Sequence, residues 1–340
     1  MFMKFQFYFF LCILLGMVSC GGSANNKDSE NTTDSVLNVL NQNIIARPDD
    51  VMPYLERARY WMEKGDQQQA IEDMNRAVAA DSNRTEPYLM RGEFYFTQKK
   101  YDASYNDYKR CISCDSTHVL CLLKKAGLDI VLGNFSIARA HINTALRKDQ
   151  YEPYAYYLRG RLYKTVGDTD EALSAYMTSL EVNPSYYESY IETGLIYAAQ
   201  KNDLAKDYYT SAIALKPGSV EAWYNKAMFL QETGYRDKTR YNEAFACYDS
   251  ILKRDEKFVG AYFNKGFIHL EYLQRYDSAA QYFTRAIELY PEYFQAFYNR
   301  GLANESMNKL KLAEQDYRQA LALKPDYTDA AKSLSRVLGE

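Results

Sequence analysis

Small and aromatic side chains return along most of the chain at a fixed spacing. From about residue 50, an aromatic is followed four positions later by Gly or Ala, then after twelve more by Ala, and four beyond that by another aromatic. The first small residue falls at Ala58, Gly92, Ala126, Gly160, Gly194, Ala227, Gly266 and Gly301. Successive differences are 34, 34, 34, 34, 33, 39 and 35 residues. A period of this length predicts one supersecondary unit repeated in stacked copies.

Each period predicts two helices joined by a tight turn. In the fourth copy the helical stretches are 153–166 and 169–182, separated by Gly167 and Asp168. Glycine accepts the left-handed backbone that ends a helix, and Asp caps the next one. Gly160 is expected where the two helices cross, because a missing side chain lets the axes approach closely. One pair cannot bury its apolar surface alone, so the copies must stack.

The positions of the repeat resemble those of the tetratricopeptide repeat. The second small residue recurs as Ala70, Ser104, Ala138, Ala172, Ala205, Ala244, Ala279 and Ala313. The resemblance implies an all-α, right-handed α-solenoid of about eight helix pairs over residues 51–327, with first helices that line a concave, peptide-binding face. Before it, 36–48 predicts a lone second helix, and after it 328–340 predicts a capping helix.

The chain departs from this family at two kinds of position. Basic residues stand where the family usually carries Leu, at Arg57, Arg91, Lys125, Arg159, Lys226, Lys265 and Arg300. They predict an outer surface more basic than is usual. The third copy also carries Asp129 where an aromatic residue is typical.

The N-terminus predicts export. Lys4 precedes an apolar run over 5–18, and Ser19 and Cys20 follow it. The run is shorter than the roughly 20 residues that a spanning helix needs, so residues 1–19 are interpreted as a signal peptide. The residues 17–20, Met-Val-Ser-Cys, resemble the lipobox of bacterial lipoproteins; the alternative is an ordinary signal peptide with an incidental Cys.

That resemblance implies a lipid anchor on Cys20 and a location in the bacterial cell envelope, at the outer membrane because Gly21 follows the anchor. The leaflet stays open. Residues 20–35 include no large apolar side chain after the Cys, so they predict a disordered tether.

Composition and motifs restrict the functional classes. The balance of 41 Lys and Arg against 44 Asp and Glu gives a net charge of -3, without the basic excess that nucleic-acid binding needs. No phosphate-binding Gly-rich loop is present, and the three histidines lie beside no recognisable nucleophile. We therefore expect no enzyme activity, no cofactor and no small-molecule substrate.

Four residues near the boundary of the second and third copies leave alternatives open. Cys111, Cys114, His118 and Cys121 supply enough ligands for a zinc or thiol redox site, although their spacing is cramped. A Cys114–Cys121 disulfide is the second interpretation, since an exported protein meets oxidising conditions. Buried thiols are the third.

The resemblance places a peptide-binding groove on the first helices. Its aromatic members are Tyr157, Tyr224, Phe263, Phe267 and Tyr298, and its polar members are Asn225, Asn264 and Asn299. An Asn amide both donates and accepts, so a row of them resembles the asparagine ladder by which superhelical relatives bind a peptide backbone. The expected function is a membrane-anchored scaffold that binds a polypeptide and supports assembly of an envelope complex. A glycan-binding surface lipoprotein is a further alternative.

Overall fold

The computed structural model describes the backbone of residues 27–339, and this part of the chain holds eighteen α-helices and no strand. It divides into two compact units, one ending at Tyr95 and one beginning at Phe96. The predicted signal peptide and the predicted lipid anchor at Cys20 lie outside the described residues. Within those residues, no helix combines the length and the apolar character needed to cross a membrane.

The first described helix of the first unit is longer than predicted. Its helices are α1 (Lys27–Ala46), α2 (Val51–Lys64), α3 (Gln67–Ala80) and α4 (Thr85–Thr97), the last two residues of α4 belonging to the second unit. The sequence predicted a helix over 36–48 and disorder before it, and the second prediction is wrong for residues 27–35. Extending an existing helix adds one hydrogen bond for each residue fixed, so polar residues can continue a helix that Val36 and its apolar neighbours nucleate.

The core of the first unit forms where α2 crosses α3. Ala58 and Ala70 are fully buried at the crossing and pack with Met74 and Phe94. The side chain of Asp66 accepts a hydrogen bond from the backbone of Gln69 and so caps α3. The two small residues have the role that their spacing predicted.

The second unit repeats this pair of helices. Its helices are α5 (Tyr101–Cys114), α6 (Val119–Val131), α7 (Phe135–Lys148), α8 (Pro153–Val166), α9 (Thr169–Val182), α10 (Tyr187–Ala199), α11 (Leu204–Leu215), α12 (Val220–Thr233), α13 (Thr239–Leu252), α14 (Val259–Phe267), α15 (Tyr276–Leu289), α16 (Phe294–Ser306), α17 (Leu310–Leu323) and α18 (Thr328–Leu338). The bounds of α8 and α9 are those predicted, and α18 starts where the capping helix was predicted.

Glycines in the first helices face aromatic rings in the second helices. A Cβ atom added to Gly160 would lie 2.5 Å from the ring of Tyr176, and one added to Gly194 would lie 2.6 Å from Tyr209. The described tyrosines that are fully buried stand at one phase of the second helices: Tyr108, Tyr176, Tyr209, Tyr248 and Tyr317. Packing of the pair therefore depends on the missing side chain.

In most repeats, the turn after the first helix contains one residue in the left-handed backbone conformation, at the same position of the repeat. Glycine takes this conformation at Gly65, Gly133 and Gly167, with φ of 79°, 79° and 87°. Residues with side chains take it at Lys99, Lys201, Gln274 and Asn308. The turn geometry is thus set by the repeat, even where the sequence lacks glycine.

Two local insertions account for the two longest intervals in the repeat. Between α12 and α13 the turn covers 234–238, which lengthens the interval that measures 39 residues. The first helix of the seventh pair continues as a π-helical turn, Ile268–Tyr272. A π turn accommodates one extra residue in a helix, which explains the interval of 35 residues that follows.

Candidate functional site

The aromatic residues predicted to line the groove each pack against at least two other aromatic rings. We call the four at one shared phase, Tyr157, Tyr224, Phe263 and Tyr298, the aromatic row. Each meets a ring of its own second helix and a ring that precedes the next first helix. The three-ring groups are Tyr157–Tyr176–Tyr186, Tyr224–Tyr248–Phe258, Phe263–Phe283–Tyr293 and Tyr298–Tyr317–Tyr327.

These contacts fix the rings and leave part of each ring accessible. Ring centroids in the four groups lie between 4.9 Å and 6.3 Å apart. The four residues are half-buried, as is Phe267, whose ring stacks on Phe263 at 6.5 Å. Burial raises the pKa of Tyr157 to about 12, so its hydroxyl stays protonated at neutral pH. The row is therefore a rigid, partly apolar surface with neutral hydroxyl groups.

The predicted asparagine ladder is only partly available to a ligand. Asn264 is 8% exposed and donates through Nδ2 to the hydroxyl of Tyr224 at 3.1 Å. Asn299 is 9% exposed and donates to the backbone oxygen of Gln295 at 2.7 Å. Asn225 stays half-exposed. Two of the three side-chain amides thus already donate a hydrogen bond within the protein. Binding of a peptide backbone stays a prediction for Asn225.

The disulfide forms between a different pair of cysteines from the predicted one. Cys111 of α5 is bonded to Cys121 of α6, with Cα atoms 5.9 Å apart, and both residues are fully buried. Cys114 lies outside this bond and is half-buried. The prediction of Cys114–Cys121 is wrong, because Cys111 lies one helical turn earlier on the face of α5 that meets α6.

The zinc alternative does not fit this arrangement, whereas the thiol redox alternative stays a prediction. Two of its four proposed ligands, Cys111 and Cys121, are consumed by the disulfide. His118 serves as the N-cap of α6, where its Nδ1 accepts a hydrogen bond from the backbone of Cys121 at 3.3 Å. Within residues 27–339, no group of three or more His, Cys, Asp or Glu side chains is placed to hold a metal ion.

The basic residues expected on an outer surface instead make contacts between helices. Arg57 donates hydrogen bonds to both carboxylate oxygens of Asp73, sixteen residues later, at 2.7 Å. It also donates to the side-chain oxygen of Asn41, sixteen residues earlier. Arg300 repeats the pattern with Asp316 and with Thr284. The prediction of a more basic surface is therefore wrong for these two residues. The signal that could have revealed the pairing is the sixteen-residue spacing of Arg and Asp.

The third repeat contains a buried ion pair. Lys125 Nζ lies 2.7 Å from Asp129 Oδ2, and the two residues are 3% and 0% exposed. Burial raises the pKa of Asp129, but hydrogen bonding with His141 and Lys125 outweighs it, so its pKa is lowered overall. His141 Nδ1 lies 3.4 Å from the carboxylate, a longer contact than that of Lys125. This pair replaces the aromatic residue that the repeat usually carries at position 129.

The π turn holds a second buried histidine. His269 is 9% exposed and lies between the rings of Phe245 and Tyr282, at 4.9 Å and 5.5 Å. Burial lowers its pKa, which keeps it neutral at pH 7. Nδ1 of this histidine has no hydrogen-bond partner among the residues that the structure describes. The arrangement offers aromatic packing and no nucleophile.

The tyrosine pairs do not point to the glycan-binding alternative. Tyr154 stacks on Tyr157 at 6.2 Å, and Tyr197 stacks on Tyr208 at 5.4 Å. All four residues are half-buried, and burial raises the pKa of Tyr157 and Tyr208. The first pair lies within α8, and the second joins α10 to α11.

Comparison with known proteins identifies the repeat. Residues 267–328 match the tetratricopeptide repeat, and residues 85–118 and 153–186 match a second description of the same repeat. DnaJ homolog subfamily C member 7 of Mus musculus is 32% identical over 133 residues, which cover 39% of this chain and 26% of that protein. Anaphase-promoting complex subunit 3 of Schizosaccharomyces pombe is 25% identical over 193 residues, covering 54% of this chain and 28% of that protein.

Solved structures resemble the fold over most of the chain. The C-terminal part of a TPR repeat-containing protein from Cytophaga hutchinsonii aligns with a TM-score of 0.59 and 15% identity, covering 72% of this chain and 99% of that one. Cut9–Hcn1, a hetero-tetramer of the APC/C, aligns with a TM-score of 0.52 and 16% identity, covering 82% of this chain and 55% of that one. At these identities the likeness concerns the fold alone.

Proposed function

We propose that the chain is a membrane-anchored scaffold that binds a segment of another protein on its first helices and supports assembly of an envelope complex. The three segments that match the tetratricopeptide repeat support the binding role. The anchor is the lipid expected on Cys20. Repeat folds of this kind present long surfaces for protein ligands.

The observation that carries the proposal is the aromatic row. Four half-buried rings stand at one phase on α8, α12, α14 and α16, and each is held by two neighbouring rings. A ligand that contacts them loses little free energy to ordering of side chains, because the rings are already fixed. Rigid aromatic anchors of this kind contribute a large share of binding energy at protein interfaces.

The binding test uses a photo-reactive amino acid at Phe267, next to the aromatic row, and another at Tyr290, which is 48% exposed outside it. In intact cells we expect the probe at Phe267 to capture one protein, identified by mass spectrometry, and the probe at Tyr290 to capture much less.

A blocking variant makes this test specific. Asn225→Lys places a charged side chain beside the aromatic row at a half-exposed position of α12, and should abolish capture. Asn242→Lys makes the same change at an exposed position of α13 and should leave capture intact. Equal capture in both variants, or equal capture from both probes, would overturn the proposed binding surface.

The membrane anchor is tested separately. Cys20→Ser removes the thiol to which the lipid would be attached, so we expect the protein to move from the membrane fraction to the soluble fraction. Metabolic labelling with a palmitate analogue should mark the wild-type chain and not the variant. Retention of the variant on the membrane, together with labelling, would contradict a lipid on Cys20.

A further inference from the structure

Basic residues one position before the small residue of the first helix usually face a hydrogen-bond partner sixteen residues away. Arg57 and Arg300 each bind an Asp sixteen residues later, at Asp73 and Asp316. Lys265 binds the carboxylate of Asp249, sixteen residues earlier. The repeat therefore has a position where a carboxylate from a neighbouring helix neutralises this cation.

Arg159 of α8 stands at the same position and lacks the carboxylate. Sixteen residues later the chain has Ala175, a buried methyl group on α9. Sixteen residues earlier it has the neutral Asn143 of α7, whose Oδ1 accepts from Arg159 at a long 3.4 Å. Within the described part of the chain, Arg159 makes no salt bridge.

The guanidinium of Arg159 also lies over the ring of Tyr156, 5.4 Å from its centroid, and a cavity opens beside it. Its volume is about 200 Å³, and its lining is Arg139, Ile142, Asn143, Arg159, Leu162 and Tyr163. Arg139 of α7 is exposed and, among residues 27–339, has no salt-bridge partner either. The cavity is smaller than the 300–1,000 Å³ of sites for drug-sized ligands, so its size suits a single side chain.

The surrounding charge favours an anion. Residues 119–166 contain eight Lys and Arg against three Asp and Glu, although the whole chain has a net charge of -3. The next segment, 167–218, has the reverse, with eight acidic and three basic residues. The cavity thus lies in the positive segment, where an acidic ligand gains from the neighbouring charges as well as from direct contacts.

We propose that the cavity between α7 and α8 binds the carboxylate of an Asp or Glu side chain from an acidic segment of a protein partner, with Arg159 and Arg139 as its counterions. A carboxylate is the group that meets this arginine within other repeats, and a guanidinium binds it through two parallel hydrogen bonds. Ile142 and Leu162 supply apolar contact for the methylene groups of that side chain. The inference rests on the proposed function only in taking the ligand to be a protein.

The test supplies the missing carboxylate from within the chain. Ala175→Asp places an acid where Asp73 and Asp316 stand in their repeats, so it should pair with Arg159 and close the site. Isothermal titration of the full chain with an N-acetylated, amidated oligoglutamate should show binding about tenfold weaker or more for Ala175→Asp and for Arg159→Gln. Ala175→Asn, which is matched in size but neutral, should keep wild-type affinity.

Further controls identify the source of the anion. Oligoglutamine should not bind, and Lys226→Gln, at the same repeat position in α12, should bind oligoglutamate as the wild type does. Unchanged affinity in Ala175→Asp and Arg159→Gln would overturn the proposal. Equal weakening by Lys226→Gln would also overturn it, because binding would then be diffuse. Inorganic phosphate that binds as tightly as oligoglutamate would make this a site for free anions instead.

The outcome is separable from that of the proposed function. The oligoglutamate titration uses the cavity and no cellular partner, whereas the capture experiment uses the aromatic row. If capture fails while oligoglutamate still binds and its binding depends on Arg159, only the aromatic row is ruled out as the partner surface. If capture succeeds while oligoglutamate binds equally well without Arg159, only the cavity is ruled out as a carboxylate site. If two copies of the chain associate and the Arg159→Gln variant does not, the occupant of the cavity is a second copy of this chain and not another protein.

Discussion

At the scale of single residues, a missing side chain in one helix matches a large ring in the next. Gly160, Gly194 and Gly301 each leave the space that a fully buried tyrosine ring fills. The sequence predicted the small residues correctly, since their spacing is regular. The tyrosines that fill these spaces also stand at a fixed distance in sequence, four positions after the small residue of the second helix.

We expect Gly160→Ala to destabilise the second unit by about 1 to 3 kcal/mol through overpacking. The added Cβ would lie 2.5 Å from Tyr176, and this ring is fully buried among neighbours. Gly218→Ala is the control, because its added Cβ would meet no atom within 4 Å. Urea denaturation measures both variants, and equal midpoints would contradict the assigned crossing.

At the scale of helices, polar contacts join elements that the apolar pattern already pairs. The sequence predicted the ends of α8 and α9 because a glycine turn and a capping Asp mark them. It missed the contacts of Arg57 and Lys125, since a charged residue among polar ones indicates a solvated face unless its partner is recognised. A cysteine pairing could not be chosen from sequence either, because Cys111 and Cys114 are nearly one turn apart on α5.

We expect Asp129→Asn to destabilise the protein by about 3 to 5 kcal/mol at neutral pH, because Lys125 would keep a buried charge without a partner. Replacing both residues, by Lys125→Met with Asp129→Leu, should recover most of that loss. Thermal unfolding at pH 7 measures the series. A double variant as unstable as the single one would show that the ion pair itself is needed.

The same pair predicts a dependence on pH. The pKa of Asp129 is lower in the folded protein than its ordinary value of 3.8. The folded state therefore holds its proton less tightly than the unfolded state, and the stabilisation is complete above pH 3.8 and is lost as pH falls through the folded pKa. The difference in stability between wild type and Asp129→Asn should accordingly shrink below that pH. A constant difference would contradict the sign.

At the scale of the whole molecule, the repeats need a closed end. α18 buries Ala330 and Ser333 against the last pair, and Arg336 binds the carboxylate of Glu305 at 2.7 Å. The periodicity predicted this helix, because residues 328–338 stand where the repeat places its next first helix. It could not predict the π turn at 268–272, since one extra residue is indistinguishable in sequence from a longer loop.

We expect Ala330→Arg to open the C-terminal pair, because a long charged side chain cannot fit a fully buried position. Hydrogen exchange should accelerate in α17 and stay slow in α6 and α7. Ala331→Arg changes the next residue, which is exposed, and should alter stability by less than about 0.5 kcal/mol. Fast exchange in both variants, or in neither, would mean that α18 does not close the array.

The opposite charge balances of residues 119–166 and 167–218 give the second unit a separation of positive and negative charge along its sequence. Such a separation creates an electric field that reaches beyond contact distance and can orient an approaching protein before the two surfaces meet. Encounter would then slow as ionic strength rises, since the Debye length shortens to about 8 Å at physiological salt. The lifetime of the formed complex depends on close contacts, so it would change much less with ionic strength.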